Sequence, residues 1–445
     1  MSYAAAIDQL NAMAPELFTR PGEPRRKFSL DQIRLLLGEM GNPQHRFPSV
    51  LIAGTNGKGS TASTLASILT VSGFRTGLYT SPHLERVNER IRIGKDLIAD
   101  DDFGRHYFAV HDVAQKLVDT GRLPQIPSFF EFLTAVAFVH FAEAGVDIAV
   151  LEVGMGGRLD ATNVVEPAIS IITDISLDHT EWLGSTIGEI AREKAGILRR
   201  NGTLVTLPQH PEANQALGEI AMDLDVRGVS ATPYMPPLGA RASEPYLIEV
   251  PGSTIEVASP LNGAHQHRNV ALAIAAAVEL SQRHGFAITP EAISAGIRNT
   301  SWPGRMERIA RDGTQWILDV AHNPAGAWAL RAGLRDSFQE GDWTLVFSCL
   351  RDKPLGEIAQ ILFPLFKQII FAPIHSLRAT PLHDLLAAAE STGTQAYSTG
   401  SLEEALALSA RLAGNGIVVV SGSVYLVGEA RGLLLAKSEP REGGS

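Results

Sequence analysis

Val50-Leu51-Ile52-Ala53-Gly54-Thr55-Asn56-Gly57-Lys58-Gly59-Ser60 is the stretch on which the reading of this chain turns. Its apolar opening has the length and character of a buried strand, its glycines make a turn, and helical spacing begins at Ser60. A strand that feeds a glycine-rich turn opening a helix aims several backbone N–H groups, and the positive end of the helix dipole, at one spot. A polyanion suits such a spot, so a nucleotide phosphate site is the first reading. Lys58 adds a point charge for the outer phosphates, and Ser60 offers a hydroxyl to a phosphate-bound Mg2+. The spacing is a shortened variant of the usual phosphate loop, because Gly54 lies only three residues, not five, before Gly57-Lys58. The competing reading is an ordinary strand-to-helix turn with a solvated lysine.

Working outward, the chain has 445 residues, 45% of them hydrophobic, enough for two or three domains with proper cores. There are 38 basic against 48 acidic residues, a formal charge of −10, and the densest basic cluster is only Arg25-Arg26-Lys27. Nothing there tracks a nucleic acid backbone, so no nucleic acid partner is expected. The single cysteine, Cys349, has no partner for an internal disulfide and sits in an apolar run, which fits a buried thiol and a reducing compartment. Residues Met1 to Asp8 lack a basic flank with a continuous apolar core, and no stretch of about 18 apolar residues occurs. A cytoplasmic monomer that does not engage a membrane is the expectation.

Apolar runs of strand length alternate with helical patterns, which predicts an α/β fold with a mostly parallel sheet. The clearest strands of the first part are residues 50–53, 147–153, 169–175 and 202–207. Between residues 231 and 262 proline and glycine rise, and Tyr246 to Val250 and Thr254 to Val257 read as a small antiparallel meander. An alanine-rich helix is expected over residues 269–283, after which Asn299-Thr300-Ser301-Trp302-Pro303-Gly304 breaks the pattern. Further strands follow at residues 316–320, 343–347, 368–371 and 417–420. The expected organisation is an N-terminal P-loop ATPase-like domain over residues 1–299, a C-terminal Rossmann-like α/β domain over 300–436, and a disordered tail over 437–445.

Ligands of open parallel sheets gather at the carboxyl ends of the strands. Glu152 stands close to the exit of an otherwise apolar strand, where a nucleotide-bound Mg2+ needs a fixed anionic oxygen. Its alternative is a glutamate satisfied by backbone donors. The following Gly154-Met155-Gly156-Gly157 lacks the third spaced glycine of a dinucleotide fingerprint. Taken alone, His179 reads as a loop or core histidine, and Lys194 as a surface ion-pair partner of Glu189 or Glu193.

The wider pattern adds to this. Gly54 to Ser60, Thr80-Ser81-Pro82-His83-Leu84, Leu151 to Asn163, Asp178-His179-Thr180, Glu193-Lys194-Ala195-Gly196-Ile197, His265-Gln266, Pro303-Gly304-Arg305-Met306-Glu307 and Asp319-Val320-Ala321-His322-Asn323-Pro324 follow one another in this order. Together they resemble folylpolyglutamate synthase, often bifunctional with dihydrofolate synthase, within the Mur ligase group of ATP-dependent amide-forming enzymes. The resemblance implies that Asn56, Gly57, Lys58, Gly59 and Ser60 hold ATP, with Asn269, Arg305 and Asp319 as further ATP contacts. It implies Mg2+ at Ser60 and a second Mg2+ at Ser81, Glu152 and His179, a CO2-derived carbamate on Lys194, and His322 near the incoming L-glutamate. It also implies a pterin site at Ser128, Phe129, Phe130 and Glu131 with Leu159, Asp160 and Ala161; two aromatic faces suit a flat heterocycle, although core packing would use them equally well.

The chemistry implied is phosphorylation of a carboxylate by ATP, then attack of the glutamate amine on the acyl phosphate. Relatives that build cell-wall precursors carry a whole domain before the phosphate loop, whereas 53 residues precede Gly54 here. A pterin-based acid is therefore expected, dihydropteroate and reduced folate both. The alternatives are a folylpolyglutamate synthase alone, a P-loop kinase, and a nucleotide-binding regulator without chemistry.

Overall fold

The computed structural model describes residues 2–13, 29–237, 239–241, 244–338 and 341–436. The basic cluster Arg25-Arg26-Lys27 and the tail 437–445 lie outside the described residues. The first sheet has eight strands: β1 (Ser49–Ala53), β2 (Thr76–Tyr79), β3 (Ile91–Ile93), β4 (Asp96–Leu97), β5 (Ile148–Glu152), β6 (Ile169–Ile172), β7 (Thr203–Thr206) and β8 (Arg227–Ser230). Their order is β4-β3-β2-β5-β1-β6-β7-β8, parallel from β2 to β8, with β3 and β4 added antiparallel at one edge. This puts β1, with its phosphate-loop exit, between β5 and β6.

The continuous apolar run of β1 is explained by burial on both faces. Val50 and Ile52 face the helices Lys58–Val71 and Ala264–Arg283, while Leu51 and Ala53 face the layer that includes Asp100–Asp119 and Phe129–Ala144. The alanine-rich helix begins at Ala264, five residues before the expected Asn269. Its first turn carries His265, Gln266 and His267, polar residues that a search for apolar spacing passes over. In chain order, a two-stranded hairpin, β9 (Tyr246–Val250) and β10 (Ser253–Val257), comes between β8 and this helix, in the place of the expected meander.

The second sheet holds β11 (Glu307–Arg311), β12 (Thr314–Asp319), β13 (Thr344–Phe347), β14 (Gln368–Phe371), β15 (Gln395–Ser398) and β16 (Ile417–Ser421), in the order β11-β12-β16-β13-β14-β15. Only β11 is antiparallel. Apolar side chains alternate here too, Ile317, Leu345 and Val419 to one layer and Leu318, Val346 and Val420 to the other. Among the described residues no helix is long and apolar enough to cross a membrane.

One close approach fixes how the first lobe closes over its phosphate-loop helix. A Cβ built on Gly296, in the helix Pro290–Arg298, would lie 2.4 Å from the backbone Cα of Ile68. Gly296→Ala is therefore expected to lower the unfolding free energy by about 1–3 kcal/mol through overpacking. Urea denaturation checks this, and an unchanged midpoint would show that the two helices can separate freely.

Candidate functional site

The phosphate loop is built by contacts that only glycine allows. Gly57 has φ +89°, and a Cβ there would lie 2.1 Å from Asn269 Oδ1, so the glycine lets the Ala264–Arg283 helix come against the loop. The N–H groups of Thr55 and Asn56 donate to the Asp174 carbonyl at 2.8 and 3.2 Å. The Asp174 carboxylate is in turn gripped by Arg268, with three N–H contacts of 2.6 to 2.9 Å. Lys58 folds over its own loop and donates to the carbonyls of Gly54 and Thr55 at 3.1 and 3.2 Å. Ser60 is buried in the first helical turn.

Two buried charges flank the loop. Lys194 is 3% exposed and pairs with neither Glu189 nor Glu193; its Nζ donates to the Gly54 carbonyl at 2.8 Å. Glu189 instead caps its helix at Thr186, and Glu193 pairs with Arg158. Burial, with Lys58 adding like-charge repulsion, lowers the Lys194 ammonium to about 7. Glu152, at the end of β5, is 4% exposed and accepts the Ser81 N–H at 3.1 Å. Burial raises its carboxyl above the ordinary range, against the pull of Lys58, Ser81, Arg305 and Arg90.

The second lobe reaches into this region from two directions. Arg305 leaves the interlobe segment close enough to feel both Asp319 and Glu152, and burial lowers its guanidinium. Asp319, at the end of β12, accepts the N–H groups of Met306 and Ala321 at 2.9 Å each, which fixes the turn carrying Arg305. Asn323 caps the helix Pro324–Ser337 with its oxygen, and its amide group donates across the cleft to Asn56 Oδ1 and Asp178 Oδ2, both at 3.1 Å. Lys353 donates to the other oxygen of Asp178 at 2.8 Å. Burial would raise the Asp178 carboxyl, but His179, Lys353 and His322 hold it well below the usual range. His179 and His322 are both lowered to about 4 by burial first, with Lys353 also opposing their protonation, so both are neutral at pH 7. Nδ1 of His322 lies 2.8 Å from the Val320 carbonyl.

A cavity of about 630 Å3 runs between the lobes and touches Ser81, His179 and His322. Its far wall contains Ser128, Phe129, Phe130, Glu131, Leu159, Asp160 and Ala161, all seven of the residues expected at a pterin site. Several of them also hold up the wall itself. Ser128 and Glu131 form a capping box at the start of the helix Phe129–Ala144. Asp160 accepts the N–H groups of Met155 and Thr162. Phe130 packs on Tyr79 with ring centroids 5.8 Å apart, and the Arg90 guanidinium lies 5.2 Å over the Phe129 ring.

The sequence reading missed Asp178, Asn323 and Lys353 as working residues. The first two stood inside quoted motifs, next to the histidines that drew attention. Lys353 follows the exit of β13, where strand-exit logic would have found it. Among the described residues no three His, Cys, Asp or Glu side chains are arranged as a metal cage. Of the expected metal contacts only Glu152 and His179 are of those types, so hydroxyl and phosphate oxygens would have to complete any shell.

A phosphate loop in one lobe, faced by an arginine and an aspartate of a second α/β lobe, defines a nucleotide-dependent two-lobed enzyme class. The Mur ligase middle domain model matches residues 52–277, and the model for the Mur ligase glutamate ligase domain matches residues 304–424. The chain is 33% identical over 418 residues to dihydrofolate synthase/folylpolyglutamate synthase of Bacillus subtilis (strain 168), covering 91% of this chain and 94% of that protein. It is 36% identical to a probable bifunctional folylpolyglutamate synthase/dihydropteroate synthase of Haloferax volcanii, of which it spans only 48%. Its structure is similar to Mycobacterium tuberculosis folylpolyglutamate synthase complexed with ADP and AMPPCP, with a TM-score of 0.88, 33% identity, and 98% and 100% of the two chains covered. It is also similar to E. coli FolC in complex with DHPP and ADP, with a TM-score of 0.83, 26% identity and 99% of each chain covered. The chain belongs to the folylpolyglutamate synthase family of Mur ligases.

The depressed Lys194 gives a pH signature. Unfolded, it binds a proton below 10.5; folded, only below about 7. Stability is therefore fullest above pH 10.5, falls as pH drops toward 7, and is unaffected by this group below that. Relative to Lys194→Met, the native chain should lose about 1.4 kcal/mol per pH unit on descending through this window. Parallel curves from chemical denaturation at pH 7 to 10 would show an ordinary lysine.

Proposed function

We propose that this chain is an ATP-dependent ligase that joins L-glutamate to folates, accepting both dihydropteroate and reduced folate. The observation that carries the reading is the composite cleft, in which Asn323 of the second lobe hydrogen-bonds Asn56 of the phosphate loop and Arg305 lies within electrostatic reach of both Asp319 and Glu152. A boundary near residue 299 divides the ATP-holding lobe from the glutamate-ligase lobe, which extends to residue 436. A reducing cytoplasm fits the single buried cysteine.

Amide formation from a carboxylate needs an activated carbonyl. Asn56, Gly57, Lys58, Gly59 and Ser60 hold the triphosphate, Asn269 and Asp319 orient the nucleotide, and the acceptor's carboxylate takes the γ-phosphoryl group, leaving ADP. Lys58 and Arg305, both partly buried, face the charge that develops on that group, where such charges act more strongly than in bulk water. The glutamate amine then attacks, and inorganic phosphate leaves. Neutral His322 presents its remaining ring nitrogen to the amine, close to the Asp178 carboxylate, 3.9 Å from it. Phe129 and Phe130 form the flat wall for the pterin, with Ser128, Glu131, Leu159, Asp160 and Ala161 around it.

Mg2+ fits the donor set, because Glu152 is a buried carboxylate whose burial is only partly offset by its neighbours. Ser60, Ser81, Glu152 and His179 would hold two such ions, which supply electrostatic neutralisation of the phosphates. Lys194, buried and readily neutral, fits a CO2-derived carbamate, which would turn a cation beside the loop into an anion.

Phosphate release from ATP tests the function. It should require L-glutamate together with dihydropteroate or tetrahydrofolate; phosphate appearing on a hydroxyl acceptor would mean a kinase, and no turnover with any acceptor a regulator. Arg305→Ala should lower kcat by about 10²- to 10³-fold, the loss of one charge-stabilising donor. Activity unchanged in that variant would remove Arg305 from phosphoryl transfer.

A further inference from the structure

A second cavity of about 300 Å3 adjoins the large one, and Ser81, Pro82 and Val424 line both. Its walls carry Arg86, Arg92, Arg305 and Arg431 against only Glu85 and Glu89. Most of these charges are already matched. Glu89 accepts the N–H groups of Leu84, Glu85 and Arg86 at 2.7, 2.9 and 2.7 Å. Arg431 is held by Glu85 and by both oxygens of Glu307, and Arg86 by both oxygens of Asp100.

Arg92 and Arg305 remain, both half-buried, and neither forms an ion pair with a carboxylate among the described residues. Arg92 gives Nε to the Glu89 carbonyl at 3.2 Å and lies 5.6 Å over the Trp302 ring. Arg305 gives Nη1 to the Gly304 carbonyl at 3.4 Å. Burial lowers both guanidinium groups, and the nearby carboxylates, Glu89 for Arg92 and Asp319 with Glu152 for Arg305, act on them only through space, so their planar forks stay open to a ligand's carboxylates.

The proposed reaction supplies such anions, and the inference rests on that reading. In dihydropteroate the acid to be activated sits directly on the ring system. Each added γ-glutamyl unit moves that acid farther from the pterin, while the phosphoryl-transfer point beside Lys58 and Glu152 stays fixed. The intervening units, each with a free α-carboxylate, then need room next to that point. The second cavity lies there, since Ser81 bonds Glu152 and Arg305 faces it. We propose that this cavity is a subsite for the α-carboxylates of an acceptor's γ-glutamyl tail, with Arg92 as the residue that makes it specific.

The test compares acceptors on the full chain. Arg92→Gln should raise KM for tetrahydrofolate diglutamate by about tenfold or more, while kcat/KM for dihydropteroate stays within about twofold. Equal losses on both acceptors would mean a structural role, and no loss on either would mean no role; both overturn the proposal. Calorimetry with tri-γ-L-glutamate, on the native chain, Arg92→Gln and Arg92→Lys, gives a readout independent of turnover. Binding should weaken about tenfold in Arg92→Gln and less in Arg92→Lys; equal affinity in all three, or no binding to the native chain, contradicts the subsite. Should the native chain turn over neither acceptor, the functional reading fails, and the peptide measurement still decides whether the cavity binds glutamyl carboxylates.

Discussion

The Asp178 carboxylate accepts hydrogen bonds from Asn323 and Lys353, both of which belong to the other lobe, and the geometry of the cleft depends on that attachment. The same Asn323 amide reaches Asn56 inside the phosphate loop, and its oxygen caps a helix of the second lobe. One side chain thus ties the loop, the carboxylate and the second lobe's helix together. Such a bond between lobes is worth little in water and more here, where Asn323 is buried and Asn56 and Asp178 are partly so. Asn323 lies one residue from His322 and so holds that histidine beside the loop.

Around that attachment the site gathers charges that would be costly apart. Lys58, Lys194 and Arg305 stand close to Glu152, Asp178 and Asp319, nearly all of them drawn out of water. The shifts record the strain: lysine and histidines pushed toward neutrality, Glu152 and Asp319 pushed up. A triphosphate with its ions would meet these charges in a medium of low dielectric, where preorganised groups need not rearrange during reaction. This accounts for a site rich in buried ionisable groups beside walls, Phe129 and Phe130 among them, made for a flat apolar ring.

Much of this was legible in the sequence because strand β1 is apolar on both faces and its exit needs glycine at fixed places. The long parallel strands and Glu152 at the end of β5 follow from the same logic. Thr76 to Tyr79 escaped it, since Gly77 interrupts the apolar pattern and the Phe141 ring covers it instead. Gln395 to Ser398 escaped because an edge strand half-open to water keeps polar residues. The first turn of the Ala264–Arg283 helix was hidden for the opposite reason: its polar residues are buried against the loop. Lys194 could not be told from a surface lysine by spacing, because what distinguishes it is burial under Gly54, a contact 140 residues away in sequence. Asp178 and Lys353 were invisible as a pair for the same reason, belonging to different lobes.

A crystal structure with a non-hydrolysable ATP analogue and the acceptor acid bound tests the central claim most directly. The account predicts the Arg305 guanidinium within hydrogen-bond distance of the outer phosphates, Asp319 at the nucleotide, and Asn323 still bridging Asn56 and Asp178. A triphosphate seated in the loop with Arg305 and Asp319 remote from it, in a closed cleft, would contradict it.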